Sequence, residues 1–259
     1  MRSDTTVAAL PRRDQVVIIA CAVVITALAW VYLFRIRAMM SMEMPMDMPM
    51  DMPMDMSIPW TRADVLFAFL MWSVMMVGMM TASVTPTILL YASSQARRPT
   101  GSNTLATPMF GLGYIAVWVG FSACAALTQW LVRDGGLWPS MFNALLGGFV
   151  LVAAGVYQFT PLKSACLSHC RSPLGFIMSS WREGLLGAFR MGLHHGVYCL
   201  GCCWALMTVL FVVGVMNLAW VAVLAVFVLL EKVVPGVGGV SRLGGLVLIV
   251  AGLYVMLAR

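Results

Sequence analysis

Seven apolar runs divide this sequence, at residues 16–34, 63–91, 105–132, 141–162, 193–214, 216–231 and 243–258. An apolar run of about 20 residues is the length a helix needs to cross the hydrocarbon of a bilayer. The sixth run is short and the last is rich in glycine, so six or seven crossings are expected. Composition agrees: the chain is 61% hydrophobic and 10% charged, where a soluble domain carries about 25% charged residues. The expected fold is an all-α, polytopic integral membrane helix bundle, with membrane lipid as its first partner. The net charge of +6 is spread as single arginines and lysines between the runs. It speaks for orientation in the bilayer and not for nucleic acid.

With the N-terminus inside, eleven of the sixteen Arg and Lys residues fall on the inner side, among them Arg12, Arg13, Lys163, Arg171, Arg182, Lys232 and Arg242. Five, including Arg35, Arg62 and Arg133, fall outside. Positive charge collects on the cytoplasmic side, so the expected location is a bacterial inner (cytoplasmic) membrane with a cytoplasmic N-terminus. The first run has no small-x-small cleavage site and reads as a retained anchor. The expected organisation is a cytoplasmic tail at 1–15, an anchor at 16–34 and a periplasmic segment at 35–62. A bundle follows at 63–259, with an inner loop at 163–192.

The periplasmic segment has a composition of its own. Ten methionines stand in the eighteen residues from Met39 to Met56, most in the cadence Met-Pro-Met-Asp. A thioether is a soft, neutral ligand, and clustered methionine suits Cu(I) over hard metals such as magnesium or calcium. Proline at every fourth position forbids a helix and leaves an extended string. Met42, Met44, Met46, Met48, Met50, Met52 and Met54 are therefore candidate copper ligands. The alternative is a plain linker, for which Ser or Gly would serve without the liability to oxidation.

Soft ligands gather a second time. All three histidines and five of the seven cysteines lie between residues 166 and 203, in CLSHC and HHGVYCLGCC. Cys166, His169 and Cys170 stand at i, i+3 and i+4, and His195, Cys199 and Cys202 at i, i+4 and i+7. Each trio shares one helical face. With His194 and Cys203 these make eight candidate ligands at or just below the inner surface. Imidazole and thiolate together suit zinc, copper or an iron–sulfur cluster. Ferredoxin spacing is absent, and Trp204 after Cys203 excludes covalent haem attachment there. Copper is preferred because of the methionine string, while zinc, thiol redox chemistry and inert burial stay open.

The second run carries Met71, Met75, Met76, Met79 and Met80 on two adjacent helical stripes. Methionine in apolar helices is commonly gap-filling core. If this helix meets the fifth, however, Met75, Met76, Met79 and Met80 extend the sulfur donors into the bilayer. Glu231-Lys232, at the end of the sixth run, reads as a solvated, snorkelling pair. Cys21 and Cys124 read as buried apolar filler. The stretch from Phe176 to Phe189 fits either an amphipathic helix on the inner surface or an ordinary helix against the bundle.

In MWSVMMVGMMTAS, CLSHCRSPLGF, HHGVYCLGCCWALM, VMNLAW and LLEKVVPG, the chain resembles the predicted metal-binding integral membrane proteins. That family is associated with copper chaperoning for polyphenol oxidases, and the resemblance covers roughly residues 63 to 258. It implies Cys166, His169, Cys170, Cys199, Cys202 and Cys203 as ligands, with Met75, Met76, Met79 and Met80 as further partners. The methionine string lies outside it. No P-loop and no aspartyl-phosphate motif is present, so the expectation is not an enzyme but a Cu(I) chaperone. It would serve cuproenzyme maturation, with a copper enzyme or a periplasmic copper carrier as partner. Two rivals are a membrane thiol–disulfide oxidoreductase using Cys199, Cys202 and Cys203, and an accessory subunit of a membrane cuproenzyme.

Overall fold

The computed structural model describes residues 10–42, 60–97, 105–134, 144–215, 217–233 and 238–258. Among them every regular element is a helix. These are α1 (Arg12–Met42), α2 (Arg62–Ala96), α3 (Ala106–Asp134), α4 (Ala144–Tyr157), α5 (Pro161–Arg171), α6 (Pro173–Ser179), α7 (Gly184–Val213), α8 (Leu218–Val233) and α9 (Gly238–Leu257). Five of them (α1, α2, α3, α7 and α9) are long and apolar enough to cross a membrane. The pair α4–α5 makes a sixth if its 61° bend is one broken span.

Local sequence explains the joints. Thr61 and Asp64 form a reciprocal capping box at the start of α2, which satisfies two otherwise orphaned amides. The break between α4 and α5 falls where Thr160 caps the next helix and Pro161 opens it, a proline position that continues no helix from before. After α6, the chain turns at Gly184, whose φ of +78° only glycine adopts without strain.

One expectation is revised here, and two points the sequence left open are filled in. The fifth span begins at Gly184, not at 193, so Cys199 lies at the middle of a 30-residue helix and not near its inner end. The sixth run forms a helix of 16 residues, which rises only about 24 Å against a hydrocarbon core of about 30 Å. The stretch from Phe176 to Phe189 is not one amphipathic surface helix. It is split at residues 180–183, and Phe176 and Ile177 are buried with Tyr91, Phe110 and Met191. Of the two readings, the helix packed on the bundle is the one seen.

Close crossings hold the bundle together. Gly113 of α3 abuts the backbone of Phe189 and Leu193, and Gly192 of α7 abuts that of Phe110 and Tyr114. Small residues let two backbones approach and gain dispersion contacts where lipid offers no hydrophobic drive. The α4–α9 crossing repeats the device: a Cβ on Gly252 would stand 2.6 Å from the Gly148 carbonyl oxygen, and one on Gly155 2.7 Å from that of Gly245. α1 lies against α2, where Ala29 meets Gly78.

An ionic tie lies inside the bundle. The Lys163 ammonium of α5 donates to both carboxylate oxygens of Glu231 on α8, at 2.7 and 2.9 Å, and also to the Gln158 side-chain oxygen. Lys163 and Glu231 are each 1% exposed. The solvated reading of Glu231 is thus overturned. A carboxylate in a low-dielectric interior persists only when paired, and the partner comes from a helix distant in sequence. Arg171 adds a hydrogen bond from Nε to the Glu231 carbonyl oxygen at 2.7 Å.

Candidate metal centre

Cys199, Cys202 and Cys203 of α7 are each 1% exposed and share one buried cluster with Met75, Met76, Met79 and Met80 of α2. Cys166 and Cys170 of α5 are half-buried against that cluster. α2 meets α7 where the Trp72 and Phe211 rings stand 4.8 Å apart, and Tyr114 of α3 bridges the two sulfur-bearing faces, donating to the Met80 carbonyl oxygen at 3.5 Å and lying 3.0 Å from Cys199 Sγ. Thiols of α5 and α7 lie together beside Tyr114 and Lys232 of α8.

Cys199 is the hub. Its sulfur lies 2.9 Å from the Lys232 ammonium, which donates to it, and 3.0 Å from the Tyr114 hydroxyl. The ammonium also donates to Ser83 Oγ at 3.0 Å, and Ser83 Oγ lies 4.0 Å from Met80 Sδ. A continuous polar line thus runs from a thioether on α2 to a thiol on α7. Cys202 and Cys203 both donate their S–H to the Cys199 carbonyl oxygen at 3.0 Å, the local back-bonding open to short side chains one turn on. Cys170 Sγ reaches across from α5 to within 4.0 Å of Cys202 Sγ. Cys166 sits against Gly201, where a Cβ would come 2.7 Å from its sulfur.

Among the described residues, no three His, Cys, Asp or Glu side chains stand in a ready metal-holding group. The reason is visible in the bonds above: Cys202 and Cys203 turn inward to a carbonyl, and Cys199 is engaged by an ammonium. Two metal–thiolate bonds of about 2.3 Å would be long enough to bridge the 4.0 Å between Cys170 Sγ and Cys202 Sγ. The donor set fits a soft, singly charged ion once the thiols rotate.

The histidines part company with the thiols. His169 and His194 are exposed and flank the ring of Tyr198, at centroid distances of 4.2 and 4.8 Å. His169 Nδ1 is tied to the Ala165 carbonyl at 2.9 Å. The expected common face of Cys166, His169 and Cys170 is therefore divided, with the thiols turned in and the imidazole out. His195 alone is buried, among the rings of Phe110, Tyr114 and Phe176, and its Nδ1 has no hydrogen-bond partner among the described residues.

Two further readings change. Lys232 is not snorkelling but engaged at the hub, and Cys21 and Cys124 are exposed on the outer faces of α1 and α3. Met42 closes α1, whereas Met44, Met46, Met48, Met50, Met52 and Met54 lie outside the described residues. Tyr114 and Ser83 were not singled out as site residues. Neither Tyr114 nor Ser83 carries a spacing signal in the sequence. Lys232 had one signal, its place with Glu231 as a charged pair inside the otherwise apolar LLEKVVPG block.

Among the described residues the fold and centre define an all-helical protein with helices long and apolar enough to cross a membrane and a buried store of thiols and thioethers, the ligand chemistry of monovalent copper. A family model described as PpoB2, copper chaperone, matches residues 69–255, and the chain belongs to that family. Its role is accordingly in copper handling, under a family designation that is a chaperone's and not an enzyme's. No curated protein and no solved structure matches the chain.

Proposed function

We propose that this chain is a membrane Cu(I) chaperone that holds copper between α5 and α7 and delivers it toward cuproenzyme maturation. Cys170, Cys199 and Cys202 are the principal ligands, and Cys166 and Cys203 are neighbours able to pass the ion on. Met75, Met76, Met79 and Met80 supply a thioether lining, and the periplasmic methionine string collects or releases the ion. The observation that carries this reading is the approach of Cys170 to Cys202 at 4.0 Å beside the buried Cys199, across two different helices. Cu(I) is cargo here, and the acceptor is a copper enzyme or a periplasmic copper carrier. His169 and His194, turned outward, are not ligands of this centre.

X-ray absorption on the Cu(I)-loaded, full-length protein in detergent tests the centre. The expected shell is all sulfur at about 2.3 Å, the usual thiolate bond length to a d10 first-row ion. Deleting residues 39–56 is expected to leave that shell unchanged while lowering the copper bound per chain. A nitrogen-dominated shell would overturn the thiolate site, and an unchanged copper count would overturn the role of the string.

Orientation follows from the charge bias, supported by ligand chemistry. The methionine string would face an oxidising compartment, where thioethers form no disulfides, and the thiols, grouped around the middle of α7, would be reached from the reducing side. A reporter fused near Met50 is expected to read as external, and impermeant thiol reagents on intact cells should miss the half-buried Cys166 and Cys170. Labelling of either from outside would reverse the order of transfer.

A further inference from the structure

At the corner where α4 turns into α5, a cavity of about 690 Å³ opens against the first turn of α9. Its volume lies in the range of small-molecule sites. Two arginines, Arg171 and Arg242, line it beside Lys163, whose charge is already balanced by Glu231, and no acidic residue does among the described residues. Glu231, the partner of Lys163, stands behind the wall and is held there by its own two bonds. Arg171 is anchored by Nε to the Glu231 carbonyl oxygen, which fixes its guanidinium at the pocket edge.

The lining also holds donors that lack an acceptor. Gln158 is 3% exposed and Ser241 6%, yet Gln158 Nε2 and Ser241 Oγ have no hydrogen-bond partner among the described residues. A buried polar group left unpaired is destabilising, and native structures seldom keep one without a reason. A cationic cavity with idle donors calls for a multi-oxygen anion, because charge-assisted bonds to such an ion are the strong ones. All three cations belong to the set that the charge bias assigns to the cytoplasmic side, where basic pockets between membrane helices meet anionic headgroups.

We propose that this pocket binds a phosphate group, presented either by an anionic lipid headgroup or by a soluble phosphate. The site is separate from the copper centre, so the test uses copper-free, full-length protein in neutral detergent. Thermal unfolding is followed with inorganic phosphate against chloride at equal ionic strength, and with phosphatidic acid against phosphatidylcholine in mixed micelles. A rise in midpoint with phosphatidic acid alone identifies a headgroup site, and a rise with inorganic phosphate identifies a soluble anion. The exposed Arg242→Gln variant should half-saturate at about tenfold higher concentration, the loss of one charge-assisted contact, with its midpoint in chloride unchanged. Ser168→Trp, which fills the cavity from the exposed face of α5, should abolish the rise if Arg242→Gln proves unstable. No rise with either anion, or a rise that both variants retain, overturns the proposal.

Discussion

Replacing Cys199, Cys202 and Cys203 together by serine is expected to remove the tightest Cu(I) binding of the full-length protein. The three thiols are buried on one helix, and Cys199 bonds to Tyr114 of α3 and Lys232 of α8. Affinity should fall by more than about a hundredfold, since loss of supporting partners alone typically costs 10–100-fold. Competition against a Cu(I) chelator, together with copper per chain, gives the measure. Cys170→Ser should give an intermediate loss, because it removes the contribution of α5 while leaving the α7 thiols. His194→Ala should leave affinity unchanged, as its ring lies beside Tyr198 on the outside. A triple variant with full stoichiometry and affinity would show that the ion binds elsewhere.

Breaking the buried ion pair should have the largest effect on stability. Glu231→Ala leaves the Lys163 ammonium 1% exposed with only the Gln158 oxygen to receive it. Removing one member of a buried pair typically costs about 3–5 kcal/mol, because the other charge stays desolvated and uncompensated. The double change Lys163→Met with Glu231→Leu should recover most of that loss, since apolar side chains of like volume often replace such pairs without penalty. Unfolding in detergent across the four-member cycle isolates the pair term. Near-additive losses would mean that the charges do not depend on each other. Copper affinity offers a second readout. Glu231 precedes Lys232, so a weakened α8 should also loosen the contact to Cys199, and the double variant should restore it.

Much of this architecture was legible because it rests on hydropathy and ligand type. Apolar runs of crossing length mark the helices, and the gathering of soft ligands between residues 166 and 203 marks the centre before any fold is known. What escaped depends on contacts between distant segments. Helical spacing put His169 on the face of Cys166 and Cys170. Stacking on Tyr198, from another helix, decided which way the ring turned. Glu231-Lys232 ends an apolar run, where charged side chains usually reach water. Only the presence of Lys163 and Cys199 at that depth makes burial tolerable. The bend before α5 was read as the end of one straight span, because Thr160-Pro161 can equally close a helix or begin one. Tyr114 had no signal at all, since its role exists only through the glycine crossing that brings α3 against α7.

The two thiols that share the Cys199 carbonyl oxygen have a consequence for speed. That oxygen is their holding point, and leaving it takes a turn about one side-chain bond, with the helix backbone staying where it is. Rotamer changes are among the fastest motions of a protein, far quicker than the microsecond-to-millisecond displacement of whole helices. On the proposed copper reading, freeing either thiol as a ligand needs no rearrangement of the α7 backbone. A donor or acceptor that reaches the centre meets sulfur atoms that can present themselves one after another. The dwell time of the ion is then set by the bonds it makes and breaks.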